Sequence, residues 1–472
     1  MIFVSRIFLE IFLPLTVVLF YCLRIGNARL AALSLLGASF VFCSVNGLWQ
    51  AALLACSILF NFGIGAALSR TPNDRTFVRR AVLILGIALD LTALGYFKYA
   101  GFFVANLDAA FGLRLTHPQV VLPVGISFYT FTQIAFLADV YAGRGPSRHS
   151  LSNYALFVTY FPHVIAGPII HWRQMMPQFA RLSAPGSKLL GSPEHREAIC
   201  RGLTLFGIGL AKKIFIADQL APFVDKGYAA TGALGFADAW LLSLAYSFQL
   251  YYDFSGYCDM AIGASLLFGV QLPFNFDGPY RASSIQEFWR RWHITLSNWL
   301  RDYVFIPLGG SRGGTAKRLR NLFATFLLGG FWHGAAWTFV LWGALHGLAY
   351  SVHLLWQRIP YRLPAPAAVA LTFLFVNAAW VFFRAPELGS ALNVLSAMAS
   401  PMRAGHALPP EAWLLIGLAG LPIWIAPTSQ QLALETKIGI SPLTASLVGA
   451  CLLLAILACN TSAPSPFLYF NF

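Results

Sequence analysis

Long apolar runs limit this chain to very few kinds of fold. They lie at about 7–23, 30–47, 50–69, 81–105, 122–142, 151–170, 201–223, 236–270, 321–357, 366–383, 412–427 and 443–460. A helix needs roughly 20 apolar residues to cross a bilayer, and irregular backbone survives at that depth only where protein or water satisfies it. The pattern therefore predicts an all-α polytopic membrane protein with roughly ten to twelve transmembrane or re-entrant helices.

The composition agrees with a membrane protein and argues against nucleic acid as a partner. Of the 472 residues, 58% are hydrophobic and 11% are charged, whereas soluble proteins carry about 25% charged residues. The formal net charge is +14, but the basic residues fall between the apolar runs. Basic loops at 24–29, 70–80, 144–148 and 173–201 alternate with loops that hold little more than Arg114 and Lys226. The positive-inside rule then predicts an outside amino terminus and cytoplasmic basic loops.

A single membrane-embedded domain is predicted over residues 1–472, with no soluble domain and no clear repeat. The first run, Ile7 to Cys22, lacks a small-residue cleavage site and is interpreted as a first span rather than a leader. The seven cysteines form no Cys-x-x-Cys pair and are interpreted as packing residues. His, Cys and carboxylate residues do not cluster at metal-ligand spacing, and no phosphate-loop or dinucleotide pattern is present. We therefore predict no metal and no permanently bound cofactor.

Two histidines point to chemistry inside the membrane. His333 lies in an apolar stretch, and His293 lies in a Trp-rich basic stretch upstream. An ionisable side chain at membrane depth is costly and usually faces a protein interior or a water-filled cavity. His346 and His353 follow on the next helix, where packing or polar bridging is the simpler interpretation. The first pair therefore indicates acid/base chemistry.

The longest basic interval, 281–320, is predicted to be cytoplasmic and to contain an amphipathic helix. Ser284 is a candidate N-cap, and Glu287 stands three residues later, as in a capping box. At helical spacing one face carries Trp289, Trp292, His293, Leu296, Trp299, Leu300 and Tyr303. We expect one continuous helix that lies at the interface or dips against the bundle, and that ends at Pro307 and the glycines after it.

A proline-containing segment and a pair of aspartates give two further predictions. Segment 161–168 contains two prolines and a glycine, which favours a re-entrant loop lining a cavity, with His163 and His171 as candidates for a donor entrance. Asp253 and Asp259 are six residues apart, so they do not share a helix face. We expect them to pair with a buried arginine rather than to act as a catalytic dyad.

The ordered set of motifs resembles the membrane-bound O-acyltransferase (MBOAT) family, and within it the branch of alginate O-acetyltransferase membrane subunits. The motifs stand at 127–131, 161–168, 251–260, 288–297, 302–310, 331–334 and in the aromatic tail 467–472. The resemblance implies a ring of tilted helices around a tunnel from cytoplasm to exterior. It also implies a multi-pass protein of the bacterial inner membrane that takes part in exopolysaccharide O-acetylation and alginate biosynthesis.

The resemblance also implies site residues and partners. The essential histidine of the family corresponds to His333, which we assign as general base because a neutral imidazole suits proton abstraction. The upstream polar partner, which is His, Asn or Asp across the family, corresponds to His293. This residue could orient the donor, stabilise the carbonyl oxygen or accept the proton in a second half-reaction. Arg290, Arg291 and Arg301 are candidates to bind the phosphates of an acetyl-CoA donor, with anionic membrane lipids or simple topology as the alternatives. Expected partners are periplasmic acetyltransferase proteins and a polysaccharide acceptor.

Other functions remain open at this stage. The acceptor could be peptidoglycan or cellulose, or the acyl group could be D-alanine passed to teichoic acid. A transporter without chemistry is a third hypothesis, because buried ionisable residues also mark transport paths.

Overall fold

A computed structural model describes residues 2–472 apart from 117, 146–149, 185–191, 406–408, 410, 435–448, 451, 455, 459–464, 466 and 469–472. All regular structure in the described residues is helical, with no strand. Within the described part of the chain, four helical segments are long and apolar enough to cross a membrane, at Ile7–Gly26, Leu48–Arg70, Trp337–Trp356 and Ala365–Arg384. Shorter apolar helices lie at Ala28–Ser44, Leu388–Met398 and Glu411–Ile425. The predicted class, an all-α polytopic membrane protein, is confirmed.

Several apolar runs are divided rather than continuous. The run at 321–357 breaks at Gly334–Ala336, so that one helix ends at His333 and the next begins at Trp337. The run at 443–460 lies mostly outside the described residues. Such breaks leave fewer full-length spans than the runs alone suggest, and the broken ends place polar groups inside the protein.

The chain forms two compact units. The first comprises residues 1–206 and 260–273. Its helices are α1 Leu13–Gly26, α2 Ala28–Ser44, α3 Leu48–Arg70, α4 Thr76–Leu94, α5 Ala100–Phe111, α6 Ile126–Tyr141, α7 Leu151–Thr159, α8 Trp172–Ser183 and the larger part of α9 Pro193–Ala211, with π-helical turns at Ile7–Phe12 and Gly95–Tyr99.

The predicted re-entrant segment lies in this first unit and is irregular, as expected. Residues 161–167 form consecutive turns between α7 and α8, and all of them are buried. His163 is only 2% exposed and its Nε2 lies 2.9 Å from the carbonyl oxygen of Phe157. A Cβ on Gly167 would come within 2.5 Å of the His163 Cα, so the turns close tightly here. Whether His163 and His171 border a donor entrance stays a prediction.

The second unit comprises residues 207–259 and 274–472. Its helices are α10 Asp218–Ala229, α11 Phe236–Leu266 (to residue 259), α12 Ile285–Arg291, α13 Ile294–Leu300, α14 Thr315–His333, α15 Trp337–Trp356, α16 Ala365–Arg384, α17 Leu388–Met398, α18 Glu411–Ile425 and α19 Ser429–Leu434. Shorter turns are π-helical at Lys212–Ala217 and Arg301–Phe305, and 3-10 at Thr231–Ala233 and Pro279–Arg281.

Glycines let α14 and α15 pack backbone against backbone. A Cβ on Gly330 would lie 2.4 Å from the Phe339 carbonyl oxygen and 2.9 Å from the Gly343 Cα. A Cβ on Gly343 would meet the Phe326 carbonyl oxygen at 2.5 Å. Small residues at such an interface allow the close approach on which van der Waals packing within a membrane depends. This contact sets the position of the His333 end of α14.

The basic interval begins as predicted but does not form one helix. The Ser284 hydroxyl accepts a hydrogen bond from the Glu287 backbone N–H at 3.1 Å, so the predicted N-cap is confirmed. The Glu287 carboxylate reaches back to the Ser283 N–H at 2.8 Å. The prediction of a continuous helix to Tyr303 is wrong, because the chain breaks at Trp292 and His293 between α12 and α13.

The break is caused by a hydrogen bond to a segment outside the helix. The Ile294 N–H donates to the Asn275 carbonyl oxygen at 3.0 Å instead of to a carbonyl of the preceding helical turn. His293 takes φ 44° and ψ 53°, in the left-handed region that is unfavourable for a residue with a side chain. A long-range backbone contact thus outweighs the helical periodicity of the sequence.

Candidate active site

His333 is the last residue of α14, where the helix stops before Gly334. Its side chain is 4% exposed, and its ring lies 5.1 Å from the rings of both Trp342 and Phe383. Gly334 has room for no side chain, since a Cβ there would fall 2.1 Å from the Phe339 ring. The helix end and its aromatic neighbours hold the imidazole inside the second unit.

His293 is fully buried and lies close to His333. The centroids of the two imidazole rings are 6.4 Å apart, with an interplanar angle of 58°. Phe254 packs edge-on against His293 at 4.8 Å, and Trp332 lies 6.5 Å from it. Burial lowers the pKa of His293, which lies outside the four candidate spans, to about 3. The structure therefore brings together the two predicted site histidines and keeps the His293 imidazole neutral at physiological pH.

A third buried histidine lies beyond this pair. The His346 Nδ1 accepts a hydrogen bond from the Trp289 indole N–H at 3.2 Å. The Trp342 ring lies between the two histidines, 5.1 Å from His333 and 4.8 Å from His346. The expected packing role of His346 agrees with these aromatic contacts. His353, seven residues later, lies within 3.0 Å of the Gln357 amide.

The three candidate arginines do not converge with the histidine pair in the described contacts. Arg290 is exposed. Arg291 pairs with Glu287 at 2.8 Å on the same helix, and Arg301 pairs with Asp302 at 2.7 Å. Two of the three therefore already have a carboxylate partner. Their predicted role in donor binding stays a prediction.

Asp253 and Asp259 of α11 pair with lysines, so the expected arginine partner is wrong. Lys213 is fully buried and lies 2.7 Å from Asp253 and 2.8 Å from Asp218. Lys212 lies 2.7 Å from Asp259. Two adjacent lysines inside the apolar run 201–223 were the available sequence signal, because lysine at membrane depth requires an anionic partner.

These ion pairs also hold the described part of the aromatic tail. The Asp253 carboxylate accepts a hydrogen bond from the Leu468 N–H at 2.9 Å, and Lys213 Nζ lies 4.7 Å from the Phe467 ring centroid. Phe467 is 1% exposed, so it is buried against these ion pairs. Residues 469–472 lie outside the described part of the chain.

A cavity of about 640 Å³ opens beside α16 and is lined by apolar residues, with Arg281 as its charged member. Neither His293 nor His333 lines it. The predicted tunnel past the two histidines thus stays a prediction.

Comparison with known proteins decides the family. A family model described as MBOAT, membrane-bound O-acyltransferase family, matches residues 144–384, which include both site histidines. The chain belongs to the membrane-bound O-acyltransferase family. It is similar to the peptidoglycan O-acetyltransferase of Helicobacter pylori, with 39% identity over 84% of this chain and 80% of that protein.

Other members show the range of names within the family. The probable alginate O-acetylase AlgI of Pseudomonas aeruginosa is 44% identical over 85% of this chain and 75% of its own length. The teichoic acid D-alanyltransferase of Bacillus subtilis is 26% identical over 63% of this chain and 80% of that protein. The family and these relatives identify the protein as an integral membrane O-acyltransferase, an enzyme that moves an acyl group from a donor to a hydroxyl. The hypothesis of a transporter without chemistry is therefore not supported.

Proposed function

We propose that this protein transfers acetyl from a cytoplasmic thioester donor, acetyl-CoA, across the inner membrane for O-acetylation of an extracellular polysaccharide such as alginate. The observation that supports the site is the convergence of His293 and His333, with ring centroids 6.4 Å apart in a buried aromatic setting. Membership of the family supplies the reaction class, and the pair of imidazoles supplies groups suited to it.

The reaction moves one proton, and it replaces the carbon–sulfur bond of the donor by a carbon–oxygen bond to the acceptor. The imidazole of His333 takes the proton from the acceptor hydroxyl while the hydroxyl oxygen attacks the thioester carbonyl carbon. The carbon–sulfur bond then breaks, the thiolate leaves, and it receives the proton that His333 holds. His293 orients the donor or accepts the proton in a second half-reaction. Positioned proton transfer of this kind contributes roughly 10²–10⁴-fold to a rate.

The names of the relatives support a ranking of the candidate acceptors. Alginate is proposed first because the alginate O-acetylase relatives share 41–44% identity with this chain. Peptidoglycan is the second candidate, supported by the 39% identical peptidoglycan O-acetyltransferase. D-alanylation of teichoic acid has weaker support, because that relative is 26% identical over a smaller share of the chain. A periplasmic acetyltransferase partner would complete the transfer to the polymer.

Replacement of His333 tests the proposal. We expect His333→Ala to abolish acetylation while the protein still inserts into the membrane at a normal level. The measurement is ester-linked acetate in the isolated exopolysaccharide, with acetate in muropeptides followed in parallel to separate the two acceptors. His353→Ala serves as the matched control, because it removes a histidine from the neighbouring helix without touching the pair. Normal acetate in both polymers from His333→Ala would refute the assignment.

A further inference from the structure

Asn275 makes a cluster of contacts at the break between α12 and α13. Its side chain is 1% exposed and lies in the irregular segment before Pro279. Its carbonyl oxygen accepts from the Ile294 N–H at 3.0 Å. Its Oδ1 accepts from the Thr295 N–H at 3.1 Å and from the Thr295 hydroxyl at 2.9 Å, and lies 3.2 Å from the His293 Nδ1. One residue therefore holds both the backbone and the ring of a site histidine.

The orientation of the Asn275 amide follows from the backbone. A peptide N–H can only donate a hydrogen bond, so the side-chain atom facing the Thr295 N–H must be the oxygen. The other end of the amide, Nδ2, donates to the Cys258 Sγ at 3.3 Å, in agreement with this orientation. The exchange of oxygen and nitrogen that is ordinarily ambiguous for asparagine is excluded here.

The same argument fixes the protonation of the imidazole. Because His293 Nδ1 faces a carbonyl-type oxygen that can only accept, Nδ1 carries the hydrogen. In a neutral ring the lone pair then lies on Nε2. Two titratable groups lie beside this arrangement: His333, 6.4 Å away between ring centroids, and the Cys258 thiol, which accepts from the Asn275 amide.

The left-handed backbone of His293 needs the same support. A residue with a side chain in this region is strained and persists only where its surroundings hold it. The hydrogen bonds from Ile294 and Thr295 to Asn275 fix the two residues that follow His293. Without them, the helical periodicity of the segment would favour a continuous helix that rotates His293 away.

We propose that Asn275 is a positioning residue for acyl transfer, which fixes His293 as the Nδ1–H tautomer and directs the lone pair of Nε2 to the reaction. This inference rests on the proposed role of His293. Nothing in it requires Asn275 to touch the donor or the acceptor.

Nitrogen-15 NMR on histidine-labelled protein in nanodiscs tests the tautomer directly. The chain has ten histidines, and the His293 signals are assigned by their loss in His293→Asn. We expect a protonated Nδ1 and an unprotonated Nε2 in the wild type, and loss of this single tautomer in Asn275→Ala. A wild-type His293 protonated on Nε2, or a spectrum unchanged by Asn275→Ala, would overturn the inference.

Activity measurements on the same membranes separate positioning from general stability. We expect Asn275→Ala to lower kcat about 100-fold, the scale of a misplaced catalytic group. Asn275→Asp keeps the accepting oxygen and adds a negative charge that favours the imidazolium form of His293. The acidic limb of the profile of kcat against pH should therefore move to higher pH in this variant, by about one to three units. If Asn275→Asp retains the Nδ1–H signal of His293 but its acidic limb stays at the wild-type pH, the result would count against the proposal.

Asn377→Asp and Asn377→Ala are the matched controls. Asn377 is a fully buried asparagine of the same unit, and it hydrogen-bonds Ser247 at 2.7 Å and Ser243. Its variants should leave the His293 signals and the acidic limb unchanged, whatever stability they lose. If His293→Ala keeps full activity, the proposed function of His293 fails while the tautomer remains measurable. If His293→Ala is inactive and Asn275→Ala is fully active, the positioning role alone fails.

Discussion

At the scale of single residues, burial decides how the site histidines behave. The His293 pKa is lowered to about 3, from an ordinary value near 6.5. As the pH falls below 6.5, the unfolded chain takes up this proton and the folded protein does not. The free energy of unfolding should therefore decrease as the pH falls from about 6.5 toward 3.

Removal of this titration gives a measurable difference. We expect His293→Gln to show a shallower decrease of stability between pH 7 and pH 5 than the wild type, by at most about 1.4 kcal/mol per pH unit. Thermal unfolding in detergent at several pH values provides the comparison. Subtraction of the wild-type curve removes the contribution of the other titrating groups. Parallel curves for the two proteins would contradict a lowered His293 pKa.

The three arginines that are candidates for donor binding give a second prediction at the residue scale. Arg290→Ala should raise KM for the acetyl donor, at most about fivefold, and leave kcat unchanged, because an exposed charge contributes modest and uniform binding. Arg291→Ala and Arg301→Ala should have smaller effects, since Glu287 and Asp302 already pair with them. Steady-state kinetics on membrane vesicles provide the measurement. Arg362→Ala is an exposed control, and an equal KM increase in that variant would favour a general lipid effect.

At the scale of helices, the α14–α15 contact carries the site. Gly330→Ala places a Cβ against the Phe339 carbonyl oxygen and the Gly343 Cα, which are backbone atoms that cannot turn aside. The helices must separate, and His333 moves with the end of α14. We expect about a 100-fold loss of kcat, the effect of a displacement near 1 Å, with normal membrane insertion.

The adjacent glycine provides the control for this helix contact. A Cβ on Gly329 would lie 3.1 Å from the Cδ1 of Leu300, the far end of a flexible side chain. Gly329→Ala should therefore keep most of the activity in the same acetyl-transfer assay. Equal losses in the two alanine variants would show that helix propensity or expression, rather than backbone separation, is responsible.

At the scale of the whole molecule, the Lys213–Asp253 pair links α11 to the described residues of the tail. Lys213→Met leaves Asp253 buried with one partner fewer, and breaking such a pair costs about 3–5 kcal/mol. The double variant Lys213→Met with Asp253→Asn should lose less than the sum of the single variants. Unfolding by denaturant in mixed micelles measures each cost. Lys226→Met is an exposed control, expected within about 0.5 kcal/mol of wild type.

Much of the architecture could be predicted from local patterns. The apolar runs predicted helices, and the capping box at Ser284 and Glu287 marked the start of α12 correctly, since both depend on neighbouring residues. The closeness of His293 and His333 agrees with their expected pairing. The lysine partners of Asp253 and Asp259 were missed because forty or more residues separate the members of each pair.

By itself, the sequence determined the helical class and the membrane environment, and it selected the two histidines that are the candidates for the site, since hydropathy and motifs are local properties of the chain. Only the tertiary structure decided how those histidines are held. The break at His293 depends on Asn275, 18 residues away. The position of His333 depends on the contact between Gly330 and Gly343, which lie on different helices. Contacts of this kind depend on which segments meet in the folded protein, and helical periodicity does not predict which segments meet.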